Sequence, residues 1–467
     1  MADLTKKITK RTKLAFATGE IGDNLAYQSF SFLVFTFYFT YVDLPVTWIT
    51  GGFIIWSLWN SINDPLLGFL SDRTKNKKLG RRIPWMIFGT IPLAAVMILM
   101  FTPPLSSSDP VKFLYFLLML FLFDFSYTCF NINYNSMFSE MFISEKERSK
   151  VGQLRIIFAI IGVAIGFGVP SFLITDLTNQ YEFDYTQNQF ILNGVIAAVI
   201  ICIAYFIVIK WGVRKPQEFS QDAIKAPSFK DSLKYTFKNK AFLIYLIPAL
   251  GTWIVIGILP AVIPLWATYV LEITEVGSDL TGVLLLVTFL VSGLSTPIWV
   301  KIRQKWGARV AGLAGIGTWA ITVLTFFYAH DFNTGLITMI LNGFGLGGSL
   351  YFYDQCLAEI IDEDELKTGV RRGGGYYGMI NFVIRLSGII NFLMIGIVFS
   401  GSEWETYTRN PSINTTNGIR FLLSWFPFIV LILSFIGLWF YPIKGERLKE
   451  NRKRLTELHA KKREEKI

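Results

Sequence analysis

The chain has 467 residues, of which 52% are hydrophobic, 16% aromatic and 17% charged, where soluble domains carry about 25% charged residues. That deficit excludes an ordinary soluble domain and points to the bilayer. A net charge of +10 would suit nucleic acid in a soluble chain, so the placement of the basic residues decides between the two.

Twelve mostly apolar runs follow in chain order, each near the roughly 20 residues needed to cross about 30 Å of hydrocarbon. They are Leu14 to Tyr41, Val46 to Leu70, Ile83 to Phe101, Val111 to Phe138, Val151 to Ile174, Phe190 to Trp211, Ala241 to Leu271, Leu280 to Val300, Val310 to Tyr328, Leu336 to Ile361, Tyr376 to Phe399 and Phe421 to Tyr441. With the N-terminus inside, 39 of the 44 basic residues fall in inner connections; Lys112 and Arg409 lie outside with Arg420 at the border, and Arg155 and Arg385 fall within helices. Positive charge marks the cytoplasmic side. A multi-pass protein of the plasma (cell inner) membrane with both termini cytoplasmic is therefore expected. Because the basic excess is spread over every inner connection, no nucleic-acid partner is expected.

The longest inner connection, between the sixth and seventh runs, is polar and carries Pro216 and Pro227. It divides the chain into an N-terminal six-helix bundle (1–210), a cytoplasmic linker (211–240), a C-terminal six-helix bundle (241–443) and a basic tail (444–467). A weak internal repeat agrees: DPLLGFLSDRTKNKKLGRR after the second run resembles TPIWVKIRQKWGAR after the eighth. Two parallel six-helix halves are the architecture of major facilitator transporters, with the solute site near the midplane. The expected fold class is an all-α membrane protein, twelve transmembrane helices in two pseudo-symmetric bundles, monomeric and bounded by membrane lipid. The tail reads as a solvated or lipid-touching helix.

Cys129, Cys202 and Cys356 lie within apolar runs and His330 and His459 are far apart, which gives neither a disulfide framework nor a zinc site. No nucleophile is paired with a base, and RRGGGYYG lacks the lysine and serine of a phosphate loop. No enzymatic activity and no cofactor are expected.

The charges inside the runs are more informative. Asp64 lies eight residues before Asp72, about 12 Å above the cytoplasmic charge cluster at 1.5 Å per residue. The same reasoning buries Glu20, Asp23, Asp124, Asp354, Arg155 and Arg385. Each would cost at least ~2.5 kcal/mol facing lipid, so they must face protein or a wet cavity. Helical spacing groups Glu20, Asp23, Asn24, Tyr27, Gln28 and Ser31 on one face of the first helix. Asp124, Thr128, Asn131 and Asn135 share a face of the fourth, Asn60 pairs with Asp64 on the second, Tyr351, Asp354 and Gln355 lie on the tenth, and Tyr377, Asn381 and Arg385 on the eleventh. Five carboxylates against two guanidinium groups leave a buried negative excess, which must take up protons or recruit a cation. The guanidinium groups suit a substrate with carboxylate, sulfonate, phosphate or hydroxyl groups. The alternative for single polar residues is hydrogen bonding between helices; for Arg155 it is snorkelling to the interface.

Three separated segments, INDPLLGFLSDRT…LGRRIPW, YNSMFSEMFISEKERSKVGQLR and DEDELKTGVRRGGGYYG, resemble the glycoside-pentoside-hexuronide cation symporters, the melibiose permease group, which includes animal lysophospholipid symporters. The resemblance implies that Asp64 is the later of two second-helix aspartates, with Asn60 at the earlier position. It implies that Thr128 is the cation-site threonine, with Asn131 where the family has an aspartate. It further implies that Arg155 binds substrate, that Arg385 replaces an eleventh-helix lysine, and that Asn24, preceded by Asp23, replaces the sugar-binding aspartate. These departures remove two carboxylates from the family's sodium site. In the superfamily the second inner loop forms a charge lattice, here Asp72, Arg73, Arg81 and Arg82, with Glu140 and Glu147 as expected partners; a positive-inside anchor is the alternative.

Stripes and resemblance together give an expected substrate-binding set of Asp23, Asn24, Tyr27, Asn131, Asn135, Arg155, Tyr351, Asp354, Asn381 and Arg385. The expected cation-coupling set is Asn60, Asp64, Asp124 and Thr128, taking a proton or a sodium ion near Asp64. The expected function is cation-coupled symport of a small polar solute, a sugar or anionic sugar derivative. The alternatives are a lysophospholipid symporter of the same fold and a non-transporting membrane sensor.

Overall fold

In hydrocarbon every backbone N–H and C=O must be paired within its own segment, so an apolar run that crosses has to be helical. The computed structural model describes residues 9–74, 76, 79–142, 145–179, 186–213, 239–273, 279–368 and 373–464, and within these it is all α with no strand. Most of the expected linker, 214–238, lies outside the described residues. The helices are α1 Lys10–Ala17, α2 Gly19–Thr40, α3 Val46–Arg73, α4 Ile83–Leu99, α5 Asp109–Met141, α6 Glu145–Leu173, α7 Thr186–Ile207, α8 Lys240–Tyr269, α9 Asp279–Trp306, α10 Ala308–Val323, α11 Thr325–Tyr328, α12 Phe332–Thr368, α13 Gly373–Gly401, α14 Ile413–Leu423, α15 Trp425–Trp439 and α16 Gly445–Glu464. Among the described residues nine helical spans are long and apolar enough to cross a membrane, and α4 is a shorter apolar helix. The polar stripes of α2 and α3 make these two less apolar.

Three expected runs are broken, among them the ninth, at Leu324 between α10 and α11. The first divides at Thr18, whose Oγ1 donates to the Ala15 carbonyl at 2.8 Å, leaving α1 and α2 as separate helices. The last begins earlier than expected, at Ile413, and breaks at Ser424, whose Oγ donates to the Arg420 carbonyl at 2.5 Å. At Thr18 and Ser424 a hydroxyl competes for backbone groups, a local preference that apolar periodicity does not register.

The chain forms two compact units. The first comprises Met1–Ala226, Pro260–Leu286 and Ile395–Thr416. Within it α2 packs on α6, and α5 packs on both α3 and α4. The α2–α6 contact is backbone to backbone: a Cβ at Gly162 would fall 2.8 Å from the Ile21 carbonyl oxygen, and one at Gly166 2.9 Å from the Gln28 Cβ. Small residues four apart let helices approach this closely. At one end of the unit, the segment after α13 packs on α2: Trp404, 1% exposed, has its ring 4.9 Å from Phe39 and 5.4 Å from Tyr269. Tyr407 donates to the Thr178 carbonyl and shares a 2.7 Å hydrogen bond with the Tyr269 hydroxyl, while Arg409 Nε donates to the Asn179 carbonyl at 2.9 Å.

The second unit comprises Pro227–Leu259, Val287–Met394 and Asn417–Ile467. Here α10 packs on α12 and α15, and α16 docks on α12. Glu363 of α12, only 3% exposed, accepts from Arg447 Nη2 at 2.5 Å and Nε at 3.2 Å and from Asn451 at 3.3 Å. One face of the basic tail is thus fastened to the bundle.

Two outcomes follow from these contacts. Gly162→Val should lower thermal stability by the roughly 1–3 kcal/mol of an overpacked contact, whereas Gly168→Val, whose Cβ meets nothing within 4 Å, should not; differential scanning fluorimetry of both variants tests this. Burial pushes the Tyr407 phenol up to about 12, so its contribution is complete below pH 10, the unfolded value, and is lost as pH rises toward 12. Wild type should therefore lose more stability than Tyr407→Phe over that window and no more than it between pH 6 and 9.

Candidate functional site

The sequence-derived polar positions of the first unit converge on one ring of hydrogen bonds. It starts on α2, where Glu20, 9% exposed, accepts from Arg155 Nε of α6 at 2.5 Å. Arg155 Nη2 donates to Asn135 Oδ1 of α5 at 2.6 Å, Asn135 Nδ2 donates to Asn131 Oδ1 at 3.1 Å, and Asn131 Nδ2 donates to Asp23 Oδ1 at 2.6 Å. Glu20 and Asp23 are three apart on α2, so the chain of bonds returns to the helix it left. Asn24 Nδ2 donates to Glu20 Oε2 at 3.2 Å, and Asn131 also reaches Tyr127 Oη at 3.4 Å, beside Tyr27. The guanidinium lies 4.7 Å from the Phe138 ring centroid and 5.0 Å from that of Tyr134. Gly162 and Gly166 bring α6 close enough to α2 for Arg155, about two turns before Gly162, to meet Glu20.

Electrostatically the ring holds two carboxylates and one guanidinium. With both acids ionised it carries one uncompensated negative charge, which a proton or a small cation can balance. The half-buried carboxylate of Asp23, the exposed amide of Asn135 and the planar donors of Arg155 can also hold a hydroxylated or anionic solute.

Two further bonds join α3 to α5 next to this ring. Thr128 Oγ1 donates to Asp64 Oδ1 at 3.0 Å, and Asn63 Nδ2 donates to Asp124 Oδ2 at 2.8 Å. Asn60, one turn before Asp64 and 3% exposed, has its Oδ1 buried with no hydrogen-bond partner. Carboxylate, hydroxyl and amide oxygens on one side of α3 and α5 are the donors that hard cations prefer. Among the described residues no group of three or more His, Cys, Asp or Glu side chains could hold a metal ion.

The second-half positions lie in the second unit. Tyr351 accepts from Arg303 Nη1 at 3.3 Å, Asn381 is exposed and Arg385 half-buried on α13. The side chain of Asp354 lies outside the described residues, as do those of Asp72 and Glu140. Of the remaining charge-lattice positions, Glu147 pairs with Lys13 of α1 at 2.9 Å, Arg73 stacks 3.9 Å from the Phe69 ring centroid, Arg81 is half-buried and Arg82 is 9% exposed. Glu20 carried a signal, an acid four before Asn24, yet its role as the partner of Arg155 was not anticipated. Asn63 was missed because the spacing argument paired Asn60 with Asp64 and left the position between them unassigned.

The model of one protein family, described as MFS/sugar transport protein, matches residues 15–445. A sodium-dependent lysophosphatidylcholine symporter 1-A of Danio rerio is 23% identical, covering 98% of this chain and 91% of its own length. A glucuronide carrier protein homolog of Escherichia coli (strain K12) is 22% identical, covering 96% and 95%. Among solved structures, a D-xylose-proton symporter superposes with a TM-score of 0.66 at 13% identity, covering 93% of this chain and 97% of the other.

Removing one partner of a buried ion pair strands the other, at a cost of roughly 3–5 kcal/mol. Arg155→Leu should therefore lower the melting temperature strongly, and adding Glu20→Gln should restore most of the loss. Additive destabilisation in the double variant would mean that the two side chains are not energetically coupled.

Proposed function

Since the chain belongs to the MFS/sugar transport protein family, whose relatives here are transporters and not enzymes, we propose that this integral multi-pass membrane transporter is a cation-coupled symporter of a hydroxylated, anionic sugar derivative. The observation that carries the reading is the ring from Glu20 through Arg155, Asn135 and Asn131 to Asp23. In this reading twelve helices form two six-helix bundles with both termini cytoplasmic, and the linker between them lets the halves exchange access.

Substrate binding falls to Arg155, which recognises the anionic group, and to Asp23, Asn131 and Asn135, which take hydroxyls. Asp64 and Thr128, with the amide oxygen of Asn60, take the coupling ion. One carboxylate with neutral oxygens suits a monovalent cation or a proton better than a divalent ion. Coupling follows from linkage: the ion neutralises Asp64 beside the ring, and the solute then binds without adding to a negative excess. Asp124, held by Asn63, is the second carboxylate in reach of this region.

A second reading, symport of a lysophospholipid, is favoured by the Danio rerio relative, which matches 98% of this chain. Its zwitterionic headgroup would use the same Arg155 and acidic pair, with the acyl chain against the phenylalanines of α2 and α5.

Proteoliposome uptake separates these. A labelled glucuronide, a neutral sugar and lysophosphatidylcholine are each offered with an inward sodium gradient, an inward proton gradient or neither. Glucuronide uptake driven by one gradient is expected, with Asp64→Asn reducing the driven component at least about 10-fold. Gradient-independent uptake, or Asp64→Asn behaving as wild type, would sink the coupling assignment; lysophosphatidylcholine uptake alone would select the second reading. Ligand binding without any flux would identify a sensor.

A further inference from the structure

The last turn of α7 widens into a π-helical turn, Val208–Gly212, a geometry that often marks functional positions. It presents Lys210 and Trp211 at the helix end. Arg11 of α1 lies 4.9 Å from the Trp211 ring centroid, and Lys210 Nζ lies 4.9 Å from the same ring and 5.1 Å from that of Phe206. α1 is drawn in close because residue 212 is a glycine: a Cβ there would fall 2.8 Å from the Phe16 nitrogen.

One indole therefore carries two cations. Both Arg11 and Lys210 are exposed, and among the described residues neither is ion-paired to a carboxylate. The neighbouring Lys13, by contrast, is neutralised by Glu147 at 2.9 Å. Two cations held at one ring concentrate positive charge that attracts an anion.

What leads to the pair is apolar. Val199, Ile203 and Phe206 are 52%, 55% and 54% exposed and, spaced by four and three residues, form one outward stripe of α7 that ends at Lys210. A partner that matches both halves has an anionic head and a hydrocarbon chain. We propose that this corner binds an anionic phospholipid, its phosphate held by Arg11 and Lys210 against Trp211 and an acyl chain lying along Val199, Ile203 and Phe206. Inorganic phosphate alone would leave the stripe without a role. The site is separate from the ring and does not depend on which solute is carried.

The test uses the purified full-length protein in a neutral detergent, titrated with phosphatidylglycerol, phosphatidylcholine or inorganic phosphate and read by native mass spectrometry and thermal shift. Phosphatidylglycerol should bind and stabilise where the other two do not. Each basic residue near an anionic headgroup is worth about five-fold, so Arg11→Gln with Lys210→Gln should weaken phosphatidylglycerol binding roughly thirty-fold. The charge-preserving Arg11→Lys with Lys210→Arg should retain it, as should Lys305→Gln, which removes a comparable cation 4.7 Å from the Trp306 ring in the second unit. Should the double glutamine variant fail to fold, Phe206→Ser should still weaken phosphatidylglycerol binding. Unchanged binding in the double variant or in Phe206→Ser, or equal stabilisation by inorganic phosphate or by phosphatidylcholine, would overturn the proposal.

Discussion

The constraint on which this molecule depends is the cost of an isolated charge in hydrocarbon. Glu20 and Arg155 are tolerable only together, at 2.5 Å, and their pairing requires that α2 and α6 touch. That contact in turn requires Gly162 and Gly166, because any side chain at those positions would meet backbone or a neighbouring Cβ. The polar ring is thus the outcome of a packing decision made about two turns away. Asn135 and Asn131 then extend the pair to Asp23, so that one guanidinium organises groups from three helices.

Much of this was legible in the residues. An aspartate eight positions before a charge cluster, within an apolar run, has few places to go, and acids and amides at spacings of three and four name the shared face of a helix directly. That Glu20 and Asp23 share one face, and Asn131 and Asn135 another, follows from that arithmetic. Partner choice did not follow from it, because spacing within a helix is silent about which neighbour faces which side chain. Asp124 was grouped with Thr128 on its own helix, yet its described hydrogen bond comes from Asn63 across the α3–α5 contact. The breaks at Thr18 and Ser424 were equally invisible to an apolar count, since each turns on a single hydroxyl.

The residues of the second half illustrate a different limit. Tyr351 was grouped by periodicity with Asp354, but its hydroxyl lies beside Arg303 near the end of α9. Arginine is long enough to reach one or two turns from its own position, so a stripe predicted from equal spacing can be recruited by a charge that lies outside it. The basic tail shows the same effect in reverse. Its charges suggested solvation, yet Glu363, buried in α12, collects Arg447 and Asn451 and fixes the inner face of α16.

The glycine contact between α2 and α6 has a mechanical side. Where side chains interdigitate, one helix can slip past another by exchanging rotamers; where carbonyl and Cα meet directly, no such soft layer exists. These two helices are consequently obliged to travel as a single strut, and the acid and guanidinium they carry keep their spacing through whatever excursion the bundle undergoes. Access to the polar groups can then change without the groups themselves being pulled apart.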